Sequence, residues 1–264
     1  MSTEGETEPI PSVKDLASSE PSIRRTCLKT ITTHINERSP SNPITSTQCL
    51  ALWRGLYVAL YMHDSKNALS VQNLAAELAR TVQTMASKDD EVRNAGSQTY
   101  SWLETWSVAF WETICREWPS IDQWRMNKIL LLVRFYLREV FHLSLQSVVD
   151  NDSEGKENST KFITSQVHIL EAWPLSPRER KVPDGLRLHV LDIWVDELAG
   201  QVDAVQKGHS QNGETENESP NAALTDVANK FMTPVEKVSK EAPHKGVKMR
   251  AKEAVKSFQE QFAS

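Results

Sequence analysis

Glycine is scarce in this chain of 264 residues, with nine in total, and none carries the spacing of a phosphate-cradling loop. A dinucleotide-binding fold or a P-loop is therefore excluded as a working expectation. Cysteine is scarcer still: Cys27, Cys49 and Cys115 form no CxxC pair, and an odd count makes a poor disulfide framework. A reducing compartment is expected. The strongest apolar run covers only residues 129–133, far short of the roughly 20 residues that span a bilayer. The N-terminus, MSTEGETEPIP, is acidic and polar, so no secretory signal or transit peptide is expected. The seven histidines are scattered without HxxxH or HExxH spacing, and no GxSxG elbow occurs. No metal, cofactor or small-molecule substrate is expected. Net charge is −5, which argues against coating nucleic acid by bulk attraction but leaves room for a local basic patch.

Helical periodicity is abundant. Cys49, Leu52, Trp53, Leu56, Tyr57, Leu60 and Tyr61 make one stripe, with Thr45 or Ser46 available as its N-cap. Val71, Leu74, Ala75, Leu78, Val82 and Met85 continue the pattern. Leu103, Trp106, Phe110, Ile114 and Trp118 form a third stripe, which Pro119 is expected to stop at Trp118. Ser120 is a candidate cap for the next stripe, from Met126 to Phe141. Helices are also predicted over 21–36, 161–172 and 185–199, with Pro21 opening the first. Pro174 and Pro177 should close the second, and Gly200 the third. Strand signals are almost absent.

These patterns predict an all-α chain of antiparallel helical hairpins stacked as an α-solenoid of the HEAT or armadillo kind, about eight helices before residue 204. The expected organisation is an acidic tail over 1–11 and a helical repeat-like domain over 12–204 with a mobile loop at 150–160. A disordered linker over 205–221 and a basic C-terminal arm over 222–264 follow. Between residues 230 and 256 there are eight cations against three carboxylates. The apolar residues Val247, Ala251, Val255 and Phe258 suit a helix but are too thin for a core, so the arm is expected to become ordered on a partner.

The eight tryptophans offer two readings. Trp102, Trp106 and Trp111 cannot all face one way on a helix, so they form a thick aromatic core or include anchors on a docking face. Charge sits beside apolar residues over 110–134. Arg116, Glu117, Asp122, Arg125, Lys128 and Arg134 there can fix a helical hairpin or form a composite face for protein or RNA. An enzyme using Cys115, Glu117 or Asp122 is disfavoured, because nothing supplies the paired base and orienting group that activation needs. Cys115 reads as a buried, inert thiol.

Three blocks carry a resemblance. FWETICREWPSIDQWRMNK (110–128) is similar to the signature of the eukaryotic ribosomal-RNA-processing protein 1 family, nucleolar factors of large-subunit assembly. The matching positions are Phe110, Trp111, Arg116, Glu117, Trp118, Ile121, Asp122, Arg125 and Lys128. LWRGLYVALYMHD (52–64) resembles a second block of that family through Trp53, Gly55, Leu56 and Asp64. PDGLRLHVLDIWVDEL (183–198) resembles a third through Gly185, Leu186, His189, Asp192 and Glu197. Asn127 stands where the family commonly has an acid, which bears on one salt bridge of that turn.

The resemblance implies a non-catalytic factor of the nucleus and nucleolus. It would ride on pre-60S particles with other assembly factors and pre-rRNA, and permit maturation of the 27S precursor to 25S and 5.8S RNA. The expected docking face comprises Trp53, Arg116, Glu117, Trp118, Asp122, Arg125, Lys128 and Arg134. The expected phosphate contacts are Lys237, Lys240, Lys245, Lys248, Arg250, Lys252 and Lys256. A helical adaptor that binds only proteins is the alternative.

Overall fold

The computed structural model describes residues 8–96, 101–149, 155–211 and 219–262, and every regular element among them is helical. The chain divides into two compact units, residues 1–132 and 133–264, and the division falls within one long helix. Among the described residues no helix is long and apolar enough to cross a bilayer.

In the first unit a short 3-10 turn (Lys14–Ala17) precedes helix α1 (Pro21–Glu37), whose Cys27, Leu28, Ile31 and Ile35 face inward. Helix α2 (Ser46–Tyr61) opens with a complete capping box. Thr45 Oγ1 accepts from Gln48 N at 3.2 Å and Gln48 Oε1 accepts from Thr45 N at 3.1 Å. The stripe read from sequence is its buried face, Cys49 to Leu60. Gly55 lies under the 3-10 turn, where a Cβ would come within 2.8 Å of Val13 and 2.9 Å of Leu16. Only glycine permits so close an approach.

The stripe from Val71 to Met85 is split into α3 (Ala68–Ala79) and α4 (Thr81–Asn94) by a turn at Arg80. Thr81 anchors the break: its hydroxyl donates to Leu78 O at 2.6 Å and accepts from Trp106 Nε1 at 2.9 Å. Helix α5 (Trp102–Glu117) is capped by Ser101 and by Asp89 of α4, which accepts from Trp102 N at 2.6 Å and Leu103 N at 3.1 Å. Trp102, Trp106, Phe110 and Trp111 are all buried, so these aromatics form core and no outward anchor. The Trp106 and Phe110 rings each lie 4.8 Å from Trp53, and α2 packs along α5 through them.

A 3-10 turn over Trp118–Ser120 follows, and helix α6 (Gln123–Val149) begins. The cap is Asp122, not Ser120. Ser120 is spent in the 3-10 turn, while Asp122 Oδ1 accepts from Trp124 N and Arg125 N, both at 3.0 Å.

The second unit holds the rest of α6 with α7 (Gly155–Ala172), α8 (Asp184–Gln211), α9 (Ser219–Glu241) and α10 (Lys245–Phe262). Phe141 sits at its centre, edge-on to Trp194 and to Phe231, each at 5.0 Å. Three sequence expectations change here. Residues 155–160 of the predicted loop belong to α7, and 150–154 lie outside the described residues. Helix α8 does not stop at Gly200 but runs to Gln211, because Leu198 and Val205 stay packed on either side of it. The expected linker is thus helical at 205–211 and 219–221, with 212–218 outside the described residues.

The described part of residues 222–264, expected as a basic arm, is α9 and α10, packed on each other and on α8. The spacing Leu224, Val227, Phe231, Val235 and Val238 gives α9 a continuous apolar face, and Val247, Ala251, Ala254 and Phe258 of α10 are buried. The thin stripe of α10 suffices because α9 supplies the other half of the hairpin. Of the N-terminal tail, residues 1–7 lie outside the described set. Glu8 is seated: its carbonyl accepts from Arg38 Nη1 at 3.1 Å and Gln48 Nε2 at 3.0 Å.

Candidate functional site

In the first unit the α5–α6 turn gathers most of the predicted docking residues. Asp122 Oδ2 accepts from the Tyr61 hydroxyl at 2.9 Å and from Arg125 Nη1. The Arg125 guanidinium lies over the Tyr61 ring, 4.7 Å from its centroid, and Tyr61 stacks on Tyr57. Desolvation opposes the charged Asp122, but hydrogen bonds from Arg125 and Tyr61 prevail and hold its carboxyl below the usual range. Asp122 therefore caps α6, orients Arg125 and ties the turn to α2 at once.

Lys128 is buried. Its ammonium donates to Tyr61 O at 2.8 Å and His63 O at 2.7 Å, closing the C-terminal end of α2. Burial, then repulsion from Arg125, pushes its pKa down. Trp53 is equally internal, with Nε1 donating to Trp106 O at 3.1 Å. Both are corrections to the predicted face: neither presents surface to a partner, and both hold the turn from beneath. Arg116 is exposed and pairs with Glu117 at 3.1 Å, and Trp118 is half-buried.

Sequence reasoning missed the most exposed tryptophan among the described residues. Trp124 is 79% exposed, in the first turn of α6 and out of phase with the stripe Met126, Ile129, Leu130 and Val133. That phase mismatch was the available signal. The outward face of the turn is therefore Arg116, Glu117, Trp118, Trp124 and Arg125.

Arg134 belongs to the second unit. With Arg138 it grips the buried carboxylate of Glu197, Arg138 Nε at 2.8 Å. Burial works against that charge, but the hydrogen bonds from Arg138 and Arg134 leave Glu197 below its ordinary range. Arg134 is a half-exposed strut onto Glu197 rather than part of the turn.

The predicted phosphate contacts divide. Lys237 is paired with Glu171, and Arg250 with Asp192 at 2.9 Å and Glu253 at 3.5 Å. Lys256 reaches Glu260 at 3.5 Å, and Lys240 stands a loose 3.7 Å from Glu236. Lys245, Lys248 and Lys252 make no ion pair among the described residues. Lys240, Lys245 and Lys248 come together at the α9–α10 turn.

Cys27, Cys49 and Cys115 are buried and outside any disulfide, and burial pushes the Cys49 thiol up to about 12. Among the described residues no group of His, Cys, Asp and Glu is placed to hold a metal ion.

Curated relatives match this chain in sequence. Ribosomal RNA processing protein 1 homolog B of Homo sapiens is 30% identical over 186 residues, covering 70% of this chain and 21% of that protein. Ribosomal RNA processing protein 1 homolog A of Mus musculus is 27% identical over 199 residues, covering 75% of this chain and 35% of its own length. The Drosophila melanogaster homolog is 30% identical over 170 residues, covering 63% of this chain and 21% of that protein. The chain thus spans about a fifth to a third of the length of these relatives. Residues 7–263 match the family described as nucleolar protein, Nop52, and with that extent of agreement the chain belongs to the Nop52 family.

Proposed function

We propose that this chain is a non-catalytic nucleolar assembly factor of the pre-60S particle. In this reading it scaffolds other factors and pre-rRNA and is needed for processing of the 27S precursor to 25S and 5.8S rRNA. The observation that carries the reading is the family match over residues 7–263, together with relatives whose names specify ribosomal RNA processing. Helical hairpins stacked as a solenoid are part of the same proposal.

The α5–α6 turn is the protein-docking surface. Trp124 offers a large exposed aromatic side chain on a turn that also carries the half-buried Trp118, Arg116 and Arg125, and Trp and Arg dominate interface hot spots. Asp122, Tyr61 and Lys128 keep the turn preformed, which lowers the ordering cost of association. Basic residues of α9 and α10 contribute phosphate contacts.

Depletion of the protein tests the reading directly. The expected result is accumulation of unprocessed large-subunit precursor RNA and co-sedimentation of the native protein with large-subunit precursors. Unchanged precursor ratios would refute it. One observation favours the second reading, an adaptor that binds only proteins: Lys237, Arg250 and Lys256 are already engaged by carboxylates. Binding of purified protein to structured RNA at two salt concentrations separates the two, since the adaptor shows no salt-sensitive binding.

A further inference from the structure

The α7–α8 loop, residues 173–183, comes beside the α9–α10 turn within the second unit. Between them lies an open cavity of about 660 Å³, lined by Arg178, Arg180, Lys240, Glu241, Lys245 and Lys248 and by the small Ala242 and Pro243. Five cations face one carboxylate. Arg178, Arg180, Lys245 and Lys248 have no ion-pair partner among the described residues. Most other cations of this unit are matched, among them Arg134 and Arg138 to Glu197, Lys237 to Glu171 and Arg250 to Asp192. The unmatched charge is therefore concentrated in one concave place.

Two features indicate that the place is built. The loop is stapled by a buried arginine. Arg187 donates to Ser176 O at 2.8 Å, Val182 O at 2.5 Å and Glu179 O at 2.6 Å, and pairs with Asp184 at 2.9 Å. Arg178 and Arg180 thus project from a backbone already fixed. The second feature is the start of α10. A helix N-terminus carries partial positive charge and normally attracts acids. The first turn of α10 has none, and Lys245 and Lys248 stand there instead. Such an arrangement opposes the helix dipole and is relieved by a bound anion.

We propose that this cleft is a binding site for the phosphodiester backbone of RNA, a site assembled from Arg178 and Arg180 of the loop and Lys240, Lys245 and Lys248 of the hairpin. The inference rests on the RNA-processing reading above for the choice of polyanion. The lining favours RNA over an acidic protein segment, because it has no aromatic or large aliphatic side chain to anchor a peptide. The same lack leaves nothing on which a base could stack, so recognition is of phosphate and independent of sequence. Arginine forks supply bidentate contacts and the lysines point charges.

The test is equilibrium binding of the full chain to a fluorescein-labelled RNA of random sequence, read by anisotropy at low and moderate salt. Four phosphate contacts give a log–log salt slope of about −3, a loss on the order of 50- to 150-fold between 50 and 200 mM. In the quadruple variant Arg178→Gln, Arg180→Gln, Lys245→Gln, Lys248→Gln the slope falls nearly to zero. A control with the same charge change, Arg93→Gln, Lys161→Gln, Lys207→Gln, Lys29→Gln, keeps the wild-type slope. Circular dichroism confirms that both variants remain folded.

Equal losses in the two variants, or none in the first, would overturn the assignment. So would poly-glutamate binding more tightly than RNA, which hands the cleft to an acidic protein. Failure of the broader reading looks different. Unchanged precursor ratios on depletion defeat RNA processing whatever the anisotropy shows, whereas altered ratios with intact RNA binding by the cleft variant defeat only the cleft.

Discussion

Lys128 and Trp124 lie four residues apart and do opposite work. The Lys128 ammonium is buried against two carbonyls that end α2, so Lys128→Met leaves Tyr61 O and His63 O without their donor. A loss of about 2–3 kcal/mol is expected in urea unfolding followed by circular dichroism. Trp124→Ala removes an exposed side chain and should shift stability by less than about 0.5 kcal/mol. Its effect should appear instead as weaker co-sedimentation with large-subunit precursors. Neither role was legible in residue type alone. Lysine reads as surface until two backbone carbonyls from another helix are found beside it.

Glu197 makes a second residue-scale prediction. Its carboxylate is 4% exposed and held below its ordinary range by Arg138 and Arg134. A carboxyl lowered on folding stabilises the fold fully above its unfolded value, about 4.3, and loses that contribution as pH falls through its folded value. Glu197→Gln should therefore cost about 1.5–3 kcal/mol at pH 7. The difference in melting temperature between wild type and variant should stay constant from pH 6 to 8 and shrink below about pH 4. A constant difference at pH 3 would contradict the assigned cause.

At the scale of elements, glycine gives the sharpest contrast. Gly55 faces Val13 and Leu16 at under 3 Å from a would-be Cβ, whereas a Cβ on Gly200 would meet nothing within 4 Å. Gly200 is interior to α8, with no positive φ, and glycine there only raises the entropy of the unfolded chain. Gly200→Ala should raise stability by about 0.5–1 kcal/mol, measured by thermal unfolding. The start of α2 could be read from Thr45 and Gln48, since a capping box needs only local chemistry. The end of α8 could not: a glycine stops a helix where nothing beyond holds it, and Val205 does hold it. Helix α10 was likewise visible as a spacing but misjudged as coreless, because the face that completes it belongs to α9.

For the whole molecule, an all-α chain followed directly from the dominance of the 3.6-residue period. The placement of residues 230–256 did not. Their charge suggests an arm, yet Phe231, Val235, Val238, Val247, Ala251 and Phe258 are all buried in the second unit. Limited proteolysis of the isolated protein by trypsin should consequently spare Lys237, Lys248 and Lys252 under native conditions, with cleavage there appearing only as the unit unfolds. Rapid cutting at these sites without RNA or partner would restore the arm. The candidate surfaces were half legible: the 110–128 block drew attention to the α5–α6 turn, but Arg178 and Arg180 join the basic hairpin only through the folded loop.

All three sulfhydryls of this chain are shut away from solvent, and the Cys49 thiol holds its proton up to about 12. At neutral pH Cys27 and Cys49, both raised by burial, offer maleimides almost no thiolate, and Cys115 is buried as well. Replacements such as Trp124→Cys or Arg180→Cys would accordingly give a uniquely addressable handle in the otherwise native chain, to which a photoactivatable tether can be attached. The molecule is thereby already suited to having its neighbours mapped from either surface, without first stripping out what it was born with.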